Sequence, residues 1–224
     1  MKCSAAVFPL RHSLILSAAI ATCIWGADSV RMASAQVTFT GDVNPLPPPG
    51  SDWVVGGDLI VGDGAAGTLL IDTGGTVSGT VDAYVGNFDS GTVTVQGQDG
   101  AGSASTWTID GETYIGVETG STGRLDILDG GVVSGEGGVS VGRDVGSIGN
   151  VTVSGADSLW DARSAANPSP SFQIGVGGVG TLDINDGGVV RSQQGLIGVI
   201  AGGNGRVTVN GLGSSWAPLD NIYV

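Results

Sequence analysis

Aspartates, a few arginines and a recurring tryptophan are the side chains of this sequence that could do chemistry. Asp126 and Asp183 hold equivalent positions in two copies of a repeat, and Asp129 and Asp186 each precede a Gly-Gly pair. Paired carboxylates are what general acid–base chemistry or a hard cation would use. Only Arg124, two residues from Asp126, places a base beside any of the four. The plainer reading is the stronger one: an Asp before Gly-Gly makes a turn, and a repeated surface Asp makes a solvated face. A calcium-binding G-G-x-G-x-D repeat starts correctly at Gly177-Gly178-Val179-Gly180-Thr181. Leu182 then stands where aspartate is needed, and Asp183, one place late, points to the other face of a strand. No catalytic residue, metal site or cofactor is expected.

Trp107, Trp160 and Trp216 recur once per pair of repeats. Exposed indoles in a row could form a carbohydrate platform, because sugar rings stack on them. Buried indoles would instead shield the core at a corner of the fold, repeated because the unit is repeated. Packing is the expected role, and carbohydrate contact is the alternative.

What positions these residues is a repeat that fills everything after Ser51. Six segments share the form G-x-(L/V)-x-(I/V), beginning at Gly67, Gly91, Gly123, Gly149, Gly180 and Gly205. Apolar residues two apart mark a strand with one buried face. Before each strand stands an apolar residue followed by Gly, at Gly62, Gly86, Gly116, Gly142, Gly175 and Gly198, with intervals of 24, 30, 26, 33 and 23 residues. Such an interval is the length of one solenoid coil of three short strands and three turns. Two kinds of unit alternate. One follows its strand with Gly-Gly and valine (Val77, Val133, Val190), and the other ends in tryptophan. The extra length falls at Ala101–Ser105 and Asn167–Pro170, as insertions confined to turns should. In the unit near Leu59 the inward residues are predicted to be Leu59, Val61, Leu69, Ile71 and Val77. Burying five side chains cannot offset the ordering of about 24 residues, so a lone coil does not fold and the units must stack. The fold class is therefore all-β, a right-handed parallel β-helix of about six to seven coils.

Residues 1–35 differ from the rest. Lys2 and Arg11 precede an apolar run from Leu14 to Trp25, and Ala33-Ser34-Ala35 is a small-residue cleavage site. That is the pattern of a secretory signal peptide, with an apolar run shorter than the ~20 residues of a membrane span. Cleavage removes both cysteines, the only histidine, both methionines and the only lysine. It leaves 20 acidic residues against 5 arginines, a net charge of −15. Such a surface repels nucleic acid and anionic membrane, and no disulfide can staple it. Residues 36–50, with Pro45, Pro47, Pro48 and Pro49, are expected to be an extended leader or N-terminal cap rather than a paired strand.

The first unit pattern, seen from Ile174 to Val190, and the second, from Val141 to Trp160, alternate over residues 51–224. This alternation resembles the repeats of autotransporter-type passenger proteins. It is also similar to repeats in exported proteins of environmental bacteria that carry C-terminal sorting signals. The resemblance implies a right-handed parallel β-helix outside the cell, and it implies no catalytic residues. The chain shows no C-terminal barrel or sorting signal. Its ending, Asp220 to Val224, matches the approach to a new coil, so a longer protein with further repeats is expected, and an uncapped coil would invite end-to-end self-association. The expected function is a structural or adhesive protein, secreted or on the bacterial cell surface, meeting extracellular glycans or other cells. The alternative is a β-helix polysaccharide lyase or hydrolase, which would need one coil that breaks the pattern with converging acid and base groups.

Overall fold

The structure is a computed structural model that describes residues 34–48, 50–164 and 170–224. The proposed signal peptide lies outside the described residues except for Ser34 and Ala35, and so does most of the Asn167–Pro170 insertion. Among the described residues there is no helix; short strands stack into a β-solenoid of about six turns. The unit that holds it runs from Met32 to Val224.

Each G-x-(L/V)-x-(I/V) segment becomes one strand of a seven-stranded sheet: Gly67–Asp72, Ser90–Gln96, Thr122–Leu128, Ile148–Ser154, Val179–Asn185 and Asn204–Asn210, all parallel and in register. The period of two puts Leu69, Val93, Leu125, Val151 and Leu182 in one inward row and Ile71, Val95, Ile127, Val153 and Ile184 in another, each at 0–1% exposure. A second, thirteen-stranded sheet supplies the other two faces of the coil. In the early coils single strands, Asp52–Val61 and Thr76–Val85, run through both of these faces. From Thr106 onward each face has its own short strand, for example Val132–Gly135 and then Val139–Val141. The five inward residues predicted around Leu59 are all buried at 0–1% exposure.

The two kinds of unit have a packing reason. One inward row of the second sheet reads Trp53, Val77, Trp107, Val133, Trp160, Val190, Trp216 through successive register pairs. Coils stack ~4.8 Å apart, and in this row every tryptophan has a valine as its neighbour in the coils beside it. Alternating a large with a small residue lets neighbouring layers interdigitate. Phe172 joins two of the indoles, edge-on to Trp160 at 4.8 Å and to Trp216 at 6.0 Å. Gly195 clears room for Trp216, whose ring atoms lie 2.6 Å from where a Cβ would stand.

The segment 36–50 covers the first coil as a cap would, but it does so by pairing, which departs from expectation. Gln36–Gly41 is a strand paired antiparallel to Gly67–Asp72, and Val43–Asn44 pairs antiparallel to the end of Asp52–Val61. Proline blocks pairing only where it stands, and Pro45 is the first of the four. The residues before it are free to cover the first coil, where Val37 and Val43 join the core. Asp42, between the two strands, accepts backbone N–H groups at Oδ2 from Gly64 at 2.7 Å, Asp63 at 3.2 Å and Ala65 at 3.3 Å. These bonds, that from Gly64 first, hold its carboxyl below the usual carboxylate range.

Glycine is required at the corner before each sheet strand. Gly142 has φ of +68°, and a Cβ there would meet the carbonyl oxygen of Val179 in the next coil at 2.3 Å. Gly198 has the same φ, but its nearest atom is 3.7 Å away, because no described strand lies over it. In that last coil Val207 and Trp216 pack against the core from one side only.

Two outcomes follow from this geometry. Alanine at either Gly142 or Gly198 suffers the left-handed backbone, about 1–2 kcal/mol. Gly142→Ala alone adds the clash, about 1–3 kcal/mol more; denaturant unfolding of both variants should show that gap. Asp42→Ala should lower Tm at pH 7. A carboxyl whose folded pKa is depressed stabilises above its unfolded value of 3.8 and loses that effect as pH falls through the lower folded value. The Tm difference between the two proteins should therefore close below pH 3.8.

Candidate functional site

The carboxylates singled out by the repeat do not converge. Asp126 and Asp183 lie on the outer face of the seven-stranded sheet, in the same row, with Thr152 of the intervening coil between them. Two coil spacings put their backbones about 9.6 Å apart. Asp126 is not solvated: it is 7% exposed, because Arg124, two residues away on the same face, lies along the strand and donates from Nε to Oδ2 at 2.6 Å. Its Oδ1 has no hydrogen-bond partner. Asp129 and Asp186 are exposed turn residues with φ of 50° and 52°, and each turn is closed by a backbone bond, Gly131 N–H to Leu128 O and Gly188 N–H to Asn185 O, both at 2.9 Å. Aspartate tolerates this left-handed backbone better than most residues.

Burial decides what the tryptophans can touch. Trp107 and Trp160 are at 0% exposure, so neither offers a ring face to a sugar in this fold. Trp216 is half-buried and its indole faces the core. Two of the three N–H groups find a hydroxyl in the coil before: Trp107 Nε1 donates to Thr80 Oγ1 and Trp216 Nε1 to Ser192 Oγ, both at 3.1 Å. Trp160 Nε1 is buried without a partner. The reason is one residue. Ser192 stands two places after Val190, the partner of Trp216, and Gly135 stands two places after Val133, the partner of Trp160. By that equivalence Trp160 directs its N–H at a glycine.

The surface beside Gly135 is also open. Around it is an open cleft of about 250 Å³ lined by Thr108, Ile109, Asp110, Ser134, Glu136, Asp161 and Arg163. Asp110 and Glu136 sit at the corners that end the strands Thr106–Ile109 and Val132–Gly135, and both are exposed. Asp161, on Leu159–Ala162, is clamped by Arg163, which donates from Nε at 2.8 Å and Nη2 at 2.6 Å, while Arg191 of the next coil stands 3.6 Å away. The bond from Arg163 holds the Asp161 carboxyl below the usual range, and Asp161 in turn raises the Arg163 guanidinium. Glu136 and Asp110 carry no repeat signal, since the corner is occupied differently in every coil. Only coil-to-coil alignment of residues ending a strand could have found them.

A second polar cluster lies on the other short-strand face. Tyr84 and Tyr114 stack in adjacent coils at 5.0 Å, and Arg143 covers the free face of Tyr114 at 5.0 Å. Burial, with Asp82 next for Tyr84 and Glu112 next for Tyr114, pushes both phenols up. Rings stacked on each other at the coil spacing present edges outward, which suits a ladder that stiffens the surface. Along the neighbouring corner each carboxylate takes the next coil's backbone: Asp82 N–H donates to Asp58 and Glu112 N–H to Asp82.

Among the described residues no group of three or more potential ligands could hold a metal ion, and no helix is long and apolar enough to cross a membrane. No family model, curated protein or solved structure matches the chain.

A direct test of the Trp160 geometry is to restore the missing hydroxyl. A Cβ at Gly135 would meet nothing closer than 3.7 Å, and its φ is not left-handed. Leaving a buried donor unpaired costs about 1–3 kcal/mol. Gly135→Ser should therefore raise stability by about 1 kcal/mol in urea unfolding, and the gain should vanish when Trp160→Phe is combined with it.

Proposed function

We propose that the protein is an exported, repetitive β-solenoid of the autotransporter-passenger kind, secreted or displayed on a bacterial surface, with a structural or adhesive task. The observation that carries this reading is the register itself: coil after coil presents equivalent polar positions on one stacked scaffold. An extended array of near-equivalent positions suits many weak contacts made at once, where avidity replaces single-site affinity. The signal-like segment at residues 1–35, the acidic surface and the absence of cysteine from the remaining sequence support an extracytoplasmic setting in which packing alone supplies stability. The charge favours glycans and cell surfaces over nucleic acid as partners.

The second reading, a polysaccharide lyase or hydrolase, is supported by the carboxylates and guanidinium that meet around Gly135. It is the weaker of the two. Arg163 of the cleft and Arg191 of the next coil both pair with Asp161, and a guanidinium does not give up its proton to act as a base.

Protease treatment of intact cells of the native host tests the proposal. The chain should begin at Gln36 and be degraded from outside. Recovery of full-length chain from the cytoplasm would rule the proposal out. Release of oligosaccharide ends from polysaccharides by the purified protein would favour the enzyme instead.

A further inference from the structure

We infer that two copies of this chain pack side by side and antiparallel through one corner of the solenoid, about a two-fold axis at the level of Val145. The contact goes beyond the adhesive reading and does not depend on export. It differs from end-to-end association through the last coil.

The corner is the turn that precedes each parallel strand of the seven-stranded sheet. Backbone bonds join it from coil to coil, as from Gly177 N–H to Arg143 O at 2.9 Å. In three coils, each two steps from the next, it exposes a large apolar side chain: Phe88 at 63%, Val145 at 67% and Ile200 at 55%. Two coil spacings put successive members about 9.6 Å apart. The coil between Phe88 and Val145 offers Glu118 and Thr119, and the coil between Val145 and Ile200 offers Gly177. The later half is one continuous patch. A Cβ at Gly177 would stand 3.4 Å from Ile200 Cδ1 and 3.5 Å from Val145 N, and the register partners Ile148 and Val179 beside it are both exposed. An exposed apolar patch of this kind marks a contact surface.

Spacing and charge together say what covers it. A row with equal steps on either side of Val145 is its own complement. A two-fold axis there sets Val145 against Val145 of the second copy and Phe88 against Ile200 of the second copy. Glu118 and Thr119 then face Gly177, which has no side chain to hold the copies apart. Charge selects the antiparallel orientation. Residues 36–123 hold eleven acidic residues and no lysine or arginine, while 124–224 hold nine acidic residues and five arginines. The corner follows the same split. Asp63, Asp89 and Glu118 lie on the Phe88 side, whereas residues 175–180 and 198–205 carry no charge and lead to the exposed Arg206. At the axis Arg143 and Asp144 offset each other at 3.9 Å. A parallel pair would set the acidic half on the acidic half. The two-fold sets it against the half with the arginines, bringing Asp89 toward Arg206 of the second copy. One corner is a narrow contact, so the dissociation constant belongs at the weak end, about 10–1000 µM.

Sedimentation equilibrium, run up to about 1 mM protein to cover that range, is the test. The expected result is a monomer–dimer equilibrium. Val145→Asp, which puts two like charges on the axis, should weaken the dimer at least tenfold, and so should Ile200→Asp. Tm should stay unchanged in both, because both side chains are exposed. Val54→Asp, at an exposed site of the second sheet, adds the same charge elsewhere and should leave the dimer intact. Asp89→Arg and Arg206→Asp should each weaken it about fivefold, and the two together should restore it. A protein that stays monomeric at the highest concentration overturns the inference, as does growth past the dimer. A dimer that survives Val145→Asp but is lost in Leu219→Asp belongs to the last coil and overturns it too. Equal weakening by Val54→Asp would reduce the effect to net charge, and a double reversal that fails to restore the dimer would remove the antiparallel pairing; either result overturns the inference.

Discussion

Backbone hydrogen bonding from each coil to the next is the interaction on which the rest of this structure depends. It runs along the strands and also through the corners, where Gly86 N–H reaches Val61 O at 2.8 Å, Gly116 N–H reaches Val85 O at 2.9 Å and Gly175 N–H reaches Val141 O at 2.7 Å. A corner that bonds this closely to its neighbour leaves no volume for a side chain. The glycine there answers to the distance between coils as much as to the backbone angle. A coil has no internal partner for its strands, so stability is a property of neighbours in contact.

That fixed spacing then dictates the core. Side chains of adjacent coils are forced into in-register rows, so shape complementarity must be solved along the axis, one layer against the next. The alternation of tryptophan with valine is the solution in one row, and the Trp160–Phe172–Trp216 cluster with Gly195 beneath it is the solution where two rows meet. Polar groups obey the same logic. Thr80 and Ser192 exist opposite indole N–H groups, and acidic side chains at one corner cap the backbone of the following coil. The place where this reciprocity lapses, at Gly135, is also the place where the surface opens into a polar cleft.

A repetitive scaffold of this kind separates stability from recognition. Inward positions and the glycine corners are constrained by their neighbours, while outward positions and the corner that follows Ile109 and Gly135 are constrained far less, so chemistry can vary there coil by coil. Asp110, Glu136 and Arg163 illustrate the freedom: a carboxylate, a carboxylate and a guanidinium at the ends of three strands that are otherwise equivalent. Asp126 shows its limit. An outward carboxylate became buried because Arg124 on the same strand face folded over it.

The sequence by itself determined the strands, their inward rows and the stacking. Period-two patterning and repeated glycines are local signals, and a repeat that cannot bury its own apolar face has only its neighbours to use. It also determined that two kinds of unit alternate, though not that they meet in one inward row where tryptophan and valine interdigitate. Tertiary structure alone decided which side chains meet. The cleft joins residues from three coils, about 25 residues apart at each step, at corner positions where the repeat imposes no residue type. The pairing of Gln36–Gly41 was hidden for a different reason: an antiparallel strand laid on the first coil carries no repeat of its own, and the prolines that follow it masked its strand pattern. Burial of Trp107 and Trp160 was likewise settled only by the coil spacing, since a tryptophan at the end of a polar stretch reads equally as a platform or as core until the layers above and below it are in place.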